Sequence, residues 1–105
     1  MHPTLTIDTA THTGQRTVLT ITGALDMDTV PRITAATDPL ALGGRTLVLD
    51  LSAVTFIDSA GLNTLLILRN RAETEQGLLE LRGLPEQALR LLDITGARDL
   101  FTLTR

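Results

Sequence analysis

"VLDLSAVTFIDSAGLNTLL", residues 48–66, sets two apolar stretches on either side of a short polar interruption. Together with Thr46 and Leu47 the first stretch reads as a strand, Thr46 to Leu51. Its Leu47, Val48 and Leu49 are apolar on both faces, as in a strand buried at the centre of a sheet. Ser52 to Asp58 reads as a loop. A helix then starts at Ser59 and runs to about Gln76, with Gly77 suited to a left-handed C-terminal cap. Ser59 is one of only two serines, the other being Ser52, in a chain crowded with threonines. A serine at the first position of a helix can be a cap, a nucleophile or a group that another protein modifies.

The flanking sequence supplies the rest of the sheet. "TLTIDTAT" (4–11) and "RTVLTITG" (16–23) alternate with a period of two and are rich in β-branched residues, so they are expected to form an antiparallel strand pair. After them Asp28 is a candidate N-cap, Pro31 fits a first helical turn, and Val30, Ile33 and Ala36 or Thr37 form a helical stripe that ends near Asp38, before Pro39. "LLELRG" (78–83) reads as a fourth strand. Pro85 opens a third helix at its first position, and "DLFTLTR" (99–105) ends in a last short strand. Alternating strands and helices after a hairpin imply a single α/β domain over residues 1–105, a mixed sheet of four to five strands with helices packed against it and right-handed crossovers. In such sheets functional loops lie beyond the carboxyl ends of the parallel strands, where Ser52–Asp58 falls.

Composition narrows the function. With 105 residues, 43% hydrophobic and 20% charged, the chain matches an ordinary globular domain. Its nine basic residues, all Arg, are scattered from Arg16 to Arg105 in a chain of net charge −3, and two Phe with no Trp or Tyr leave little to stack on bases. Direct nucleic-acid binding is therefore not expected. No apolar run approaches the roughly 20 residues of a membrane span, and "MHPTLTIDTA" lacks the pattern of an export signal. The absence of cysteine fits a reducing cytoplasm. His2 and His12 match no common ligand spacing, so neither a structural metal nor a cofactor is expected.

Three readings of Ser59 can be set side by side. As a cap, Ser59 or Asp58 would accept hydrogen bonds from the free amides of the helix, a contribution of about 1 kcal/mol. As a nucleophile it would need the sharp elbow with glycine two residues on either side; Gly61 satisfies one side, but Ile57 occupies the other. No His follows it to act as base. As a modified group, a phosphate there would sit among unpaired amide hydrogens at the favourable end of the helix dipole. Gly61, costing about 1 kcal/mol against Ala within a helix, leaves room for close approach by either a phosphoryl donor or a neighbouring loop.

The stretch 48–66 resembles the signature of STAS domains of the anti-sigma factor antagonist type, an apolar strand, Asp-Leu-Ser, a short apolar linker, then Asp-Ser, a small residue, Gly and Leu. Asp50, Leu51, Ser52, Phe56, Ile57, Asp58, Ser59, Gly61 and Leu62 fall on it, and upstream Gly23, Leu25 and Asp26 match a Gly-x-Leu/Val-Asp segment, with Ala24 replacing a frequent acid. The resemblance implies a partner-switching regulator and not a catalyst. Such proteins bind an anti-sigma factor that is itself an ATP-dependent serine kinase and so free the sigma factor. The kinase phosphorylates the serine after the signature Asp, here Ser59, and a metal-dependent serine/threonine phosphatase resets the cycle. Asp26 carries over as a loop acid near Ser59, Asp58 as its neighbour, and Gly61 as a supporting residue. Ala60 leaves a single hydroxyl beside Asp58. The family usually continues with a C-terminal helix, whereas this sequence stops at Arg105. The other function the resemblance allows is a non-switching STAS module that binds or scaffolds in a stress-signalling assembly or beside a transporter; the hydroxyl at Ser59 favours the switch.

At 100° per residue the second helix is expected to turn Leu62, Leu65, Leu66, Arg69 and Ala72 inward. Ile67 falls outside that arc beside Asn63, Asn70 and Arg71. Asn63 and Ile67 are therefore the expected contacts with the anti-sigma kinase. Asp26 is expected either to orient the Ser59 hydroxyl or to cap the first helix.

Overall fold

The computed structural model describes residues 5–105; Thr4 of the first expected strand and His2 lie outside them. Five strands form one sheet in the order of the sequence, β1 (Thr6–Thr13), β2 (Arg16–Leu25), β3 (Thr46–Ile57), β4 (Leu78–Arg82) and β5 (Thr102–Thr104). The β1–β2 hairpin is antiparallel and the other three pairs are parallel. Helices α1 (Val30–Thr37), α2 (Ser59–Thr74) and α3 (Glu86–Thr95) form the crossovers, and a single 3-10 turn, Arg98–Leu100, precedes β5. This is the mixed α/β sheet expected from the alternation of apolar periods.

One face of the sheet carries the core. Leu19, Ile21 and Leu25 of β2, Leu47, Leu49, Leu51, Val54 and Ile57 of β3, and Leu79 and Leu81 of β4 join residues of all three helices in one buried cluster. Burying each such Leu or Ile contributes about 1.5–3 kcal/mol. Val48 is also fully buried but outside that cluster, on the opposite face, where it lies in register between Val18 and Glu80. Over that face the Arg16 guanidinium spans β3 to reach both carboxylate oxygens of Glu80 at 3.2 Å. Glu80 also accepts the Thr104 hydroxyl at 2.9 Å, which ties the three-residue β5 to the sheet.

Several boundaries differ from the sequence reading. The expected loop Ser52–Asp58 is mostly strand: β3 continues to Ile57, pairing with β2 up to Leu25↔Ile57. Its register shifts between Thr20 and Thr22, where the Asp50 carboxylate accepts both the Ser52 amide (3.1 Å) and the Ser52 hydroxyl (2.7 Å). Those two bonds, the hydroxyl first, hold the Asp50 carboxyl below the ordinary aspartate range. With a second shift between Gly23 and Ala24, Leu51, Val54 and Ile57 are buried at a spacing of three, which hides the strand from a period-two pattern. Thr29, and not Asp28, occupies the N-cap position of α1, and Pro85 takes the cap position of α3 and not its first helical one. The left-handed residue after α2 is Gln76 (φ 63°), not Gly77. Gly77 serves another purpose, because a Cβ there would lie 2.1 Å from the Leu42 carbonyl oxygen. The inward arc of α2 is Gly61, Leu62, Thr64, Leu65, Leu68 and Ala72, turned by roughly 60° from the expected one. Leu66 is only half-buried. The Arg69 head reaches the Leu100 carbonyl and the Glu73 carboxylate instead of the core.

Candidate functional site

The site grows from the carboxyl ends of β2 and β3. Parallel pairing of Leu25 with Ile57 delivers Asp26 and Asp58 side by side as the two strands end. Asp58 is extended (φ −104°, ψ −173°) and is the N-cap of α2: its carboxylate accepts the Gly61 amide at 3.0 Å, and its own amide donates to the Leu25 carbonyl at 3.3 Å. The capping role therefore falls to Asp58. Ser59 is the first helical residue and is exposed, and among the described residues no partner holds its hydroxyl.

Gly61 is buried, and a Cβ there would meet the Leu25 carbonyl oxygen at 2.4 Å. Of the two explanations for a small residue, the structure selects the neighbouring chain: Gly61 lets α2 seat against the end of β2. Asp26 is likewise occupied by its own loop. Its Oδ1 accepts the amides of Asp28 (3.0 Å) and Thr29 (3.1 Å), while the buried Thr29 hydroxyl donates to the Ala24 carbonyl at 2.7 Å. Asp26 and Thr29 together fold the turn that starts α1, and Met27 stands out of its tip, 73% exposed. Thr29 had no signal beyond its place before a helix.

Ser59, Asn63 and Ile67 follow one another at a spacing of four along the exposed side of α2, with Ile67 57% exposed. Asn70 continues that side. The elbow geometry of a nucleophile is absent at Ile57, which is buried, and His12 lies in register with Thr17, at the end of the sheet away from Ser59. One residue that sequence reasoning missed joins the site from α3. The Gln87 side chain accepts the Ile57 amide at 2.9 Å and donates to the Ile57 carbonyl at 2.8 Å.

The sequential mixed sheet is that of a known family. The family model described as "Mlab, STAS domain" matches residues 9–103, and the chain belongs to the STAS domain family. Among curated relatives it is 32% identical over 84 residues to the anti-sigma-B factor antagonist of Bacillus subtilis (strain 168), covering 80% of this chain and 77% of that one. A solved anti-sigma factor antagonist from Mycobacterium paratuberculosis is 27% identical with a TM-score of 0.78, covering 96% of this chain and 86% of its own. The fold is also that of the Bacillus cell fate determinant SpoIIAA in its phosphorylated form (17% identity, TM-score 0.71, 95% and 92% covered). No helix among the described residues is long and apolar enough to cross a membrane.

Proposed function

We propose that this protein is a cytoplasmic anti-sigma factor antagonist that works by partner switching and performs no catalysis itself. Unmodified, it binds an anti-sigma factor with serine kinase activity and so frees a sigma factor. The kinase transfers a phosphoryl group to Ser59: the hydroxyl oxygen attacks the γ-phosphorus of ATP, the bond to the ADP oxygen breaks, and the hydroxyl proton passes to a base of the kinase or to water. A metal-dependent serine/threonine phosphatase then returns the chain to its binding form. The observation that carries this reading is the division of labour at the start of α2, where Asp58 caps the helix and leaves the exposed Ser59 hydroxyl without a structural task.

The switch acts through local charge. A phosphate brings about −1.5 to −2 charges at neutral pH, against a net charge of −3 for the whole chain. At a helix start an anion gains about 0.3–1 kcal/mol from the dipole, so the fold holds while an apposed partner meets bulk and a desolvated dianion. A loss of about 3 kcal/mol in binding weakens affinity more than a hundredfold. Ser59→Ala is expected to stay bound to the kinase in the presence of ATP. Ser59→Asp is expected to bind weakly with an unchanged circular-dichroism spectrum. The test screens the histidine-kinase-fold anti-sigma factors of the source genome for binding, followed by phosphopeptide mapping with ATP. Modification at a threonine, or undiminished affinity of the Ser59 phosphoform, refutes the mechanism; no binding to any of them points to the scaffold role.

A further inference from the structure

Strand β3 outruns β4. Their pairing ends at Asp50↔Arg82, whereas β3 continues to Ile57 with β2 alone beside it. In a strand the amide and carbonyl of one residue point to the same side, so Ile57 turns both away from β2. Gln87, in the first turn of α3, meets both groups at once, at 2.9 and 2.8 Å. A primary amide carries donor and acceptor side by side, as a peptide group does, and here it stands in for one residue of a missing strand.

Two residues beyond Ile57 lies Ser59. The intervening Asp58 is held by the Leu25 carbonyl on the β2 side and through its carboxylate by the Gly61 amide. Gln87 closes the remaining side, and it does so from a separate element 30 residues further along the chain. Without it the Ile57 amide and carbonyl lose their partners, and the segment that aims the Ser59 hydroxyl is tethered on one flank only.

On the reading that Ser59 accepts a phosphoryl group, we infer that Gln87 is a positioning residue for that transfer, fixing the end of β3 so that the Ser59 hydroxyl meets the γ-phosphorus of ATP in line. Misplacing a reacting atom by a fraction of an ångström to one ångström costs rate and leaves docking intact. Gln87 is exposed on α3, so its loss removes no core packing.

The experiment uses the full chain with Gln87→Met, which keeps length and removes both hydrogen bonds, and Gln87→Ala as a second variant. Amide hydrogen exchange is measured by NMR without any partner. Phosphorylation of Ser59 is then measured with ATP and the anti-sigma kinase that binds the wild-type chain. In both variants Ile57 is expected to exchange at least about tenfold faster, with exchange in β2 unchanged, and kcat for phosphorylation to fall about tenfold with KM within about twofold. An unchanged Ile57 exchange rate overturns the inference, as does faster exchange with kcat intact. A raised KM at constant kcat also overturns it, since Gln87 would then be a docking contact. If the wild-type chain itself is not phosphorylated at Ser59, the parent reading falls and takes this one with it; normal wild-type phosphorylation with an indifferent variant removes this one alone.

Discussion

The two ends of α2 are built on opposite terms. At its start one carboxylate, Asp58, makes one capping bond, and the next residue offers an unattached hydroxyl to solvent. At its end Arg71 donates to the carbonyls of Thr37 (2.8 Å) and Leu40 and to the Glu75 carboxylate at 2.7 Å. Glu75 in turn accepts the Leu42 amide at 3.2 Å. Gln76 closes the turn in the left-handed region, and Gly77 presses against the backbone of Leu42 and Arg45. One end is fastened to the α1–β3 connection by side chains; the other is seated on the end of β2 through Gly61 and Asp58 yet leaves the Ser59 hydroxyl accessible. A helix held firmly at its far end can take on charge at its near end without sliding, as the proposed phosphorylation of Ser59 would require.

Gly77→Ala tests the fastened end most severely. Its Cβ would fall 2.1 Å from one backbone oxygen and 2.8 Å from another, neither of which is a flexible side chain. A loss of about 3 kcal/mol or more in urea unfolding is expected, or no folded protein at all. A loss below about 1 kcal/mol would mean that the packing at this end is loose and the contrast overstated.

Arg71→Ala and Ser59→Ala compare the ends directly. Removing Arg71 strands the Leu40 carbonyl, leaves the Thr37 carbonyl with the Leu40 amide alone (3.0 Å) and frees the Glu75 carboxylate, and is expected to cost about 2 kcal/mol. Ser59→Ala removes no internal bond and should stay within about 0.5 kcal/mol of wild type. Equal losses in chemical denaturation would erase the distinction. The accessible side is sharpened by Ile67→Asp, expected to weaken kinase binding about tenfold, about 1.4 kcal/mol, with the melting temperature unchanged. A large fall in melting temperature with no specific loss of binding would instead make Ile67 part of the core.

The smallest effect is a pH dependence confined to the fastened end. Arg71 first, and the Leu42 amide second, hold the Glu75 carboxyl below the ordinary glutamate range. A depressed folded value means that the contribution is present above the unfolded value, about 4.3, and is lost as pH falls through the folded one. The difference in melting temperature between wild type and Glu75→Gln is therefore expected to be constant from about pH 7 to 5 and to shrink below about pH 4. A difference independent of pH would show that the charge of Glu75 plays no part.

Local periodicity made much of this legible. Alternation in β1 and β2, the doubly apolar Leu47–Leu49, and the helical spacing after Ser59 were enough for the sheet and for the exposure of Ile67. What escaped depended on partners distant in sequence. β3 runs on past Leu51 because β2 is there to pair with it, and its bulge breaks the period that would have announced it. Leu68, not Arg69, lies on the inward arc, and the Arg69 guanidinium reaches the Leu100 carbonyl. Glycine commonly closes a helix, so Gly77 suggests a cap in the sequence, but the close approach of the Leu42 carbonyl is what requires it. Gln87 carries no local signal whatever; an exposed glutamine in a first helical turn acquires its meaning only when Ile57 arrives beside it.

The strand order β1-β2-β3-β4-β5 also bears on how the chain reaches its shape. Every strand's neighbour in the sheet is its neighbour in sequence, so each pairing closes a loop of one turn or of one helix with its connections. Each closure is shorter than one that skipped a strand would be, and the antiparallel hairpin, with the shortest loop, is expected to close before the parallel β2–β3 pair, whose partners lie about 30 residues apart. Each new βα unit emerging from the ribosome finds its docking edge already made by the unit before it, and no strand has to wait for a later one to be inserted between itself and its partner.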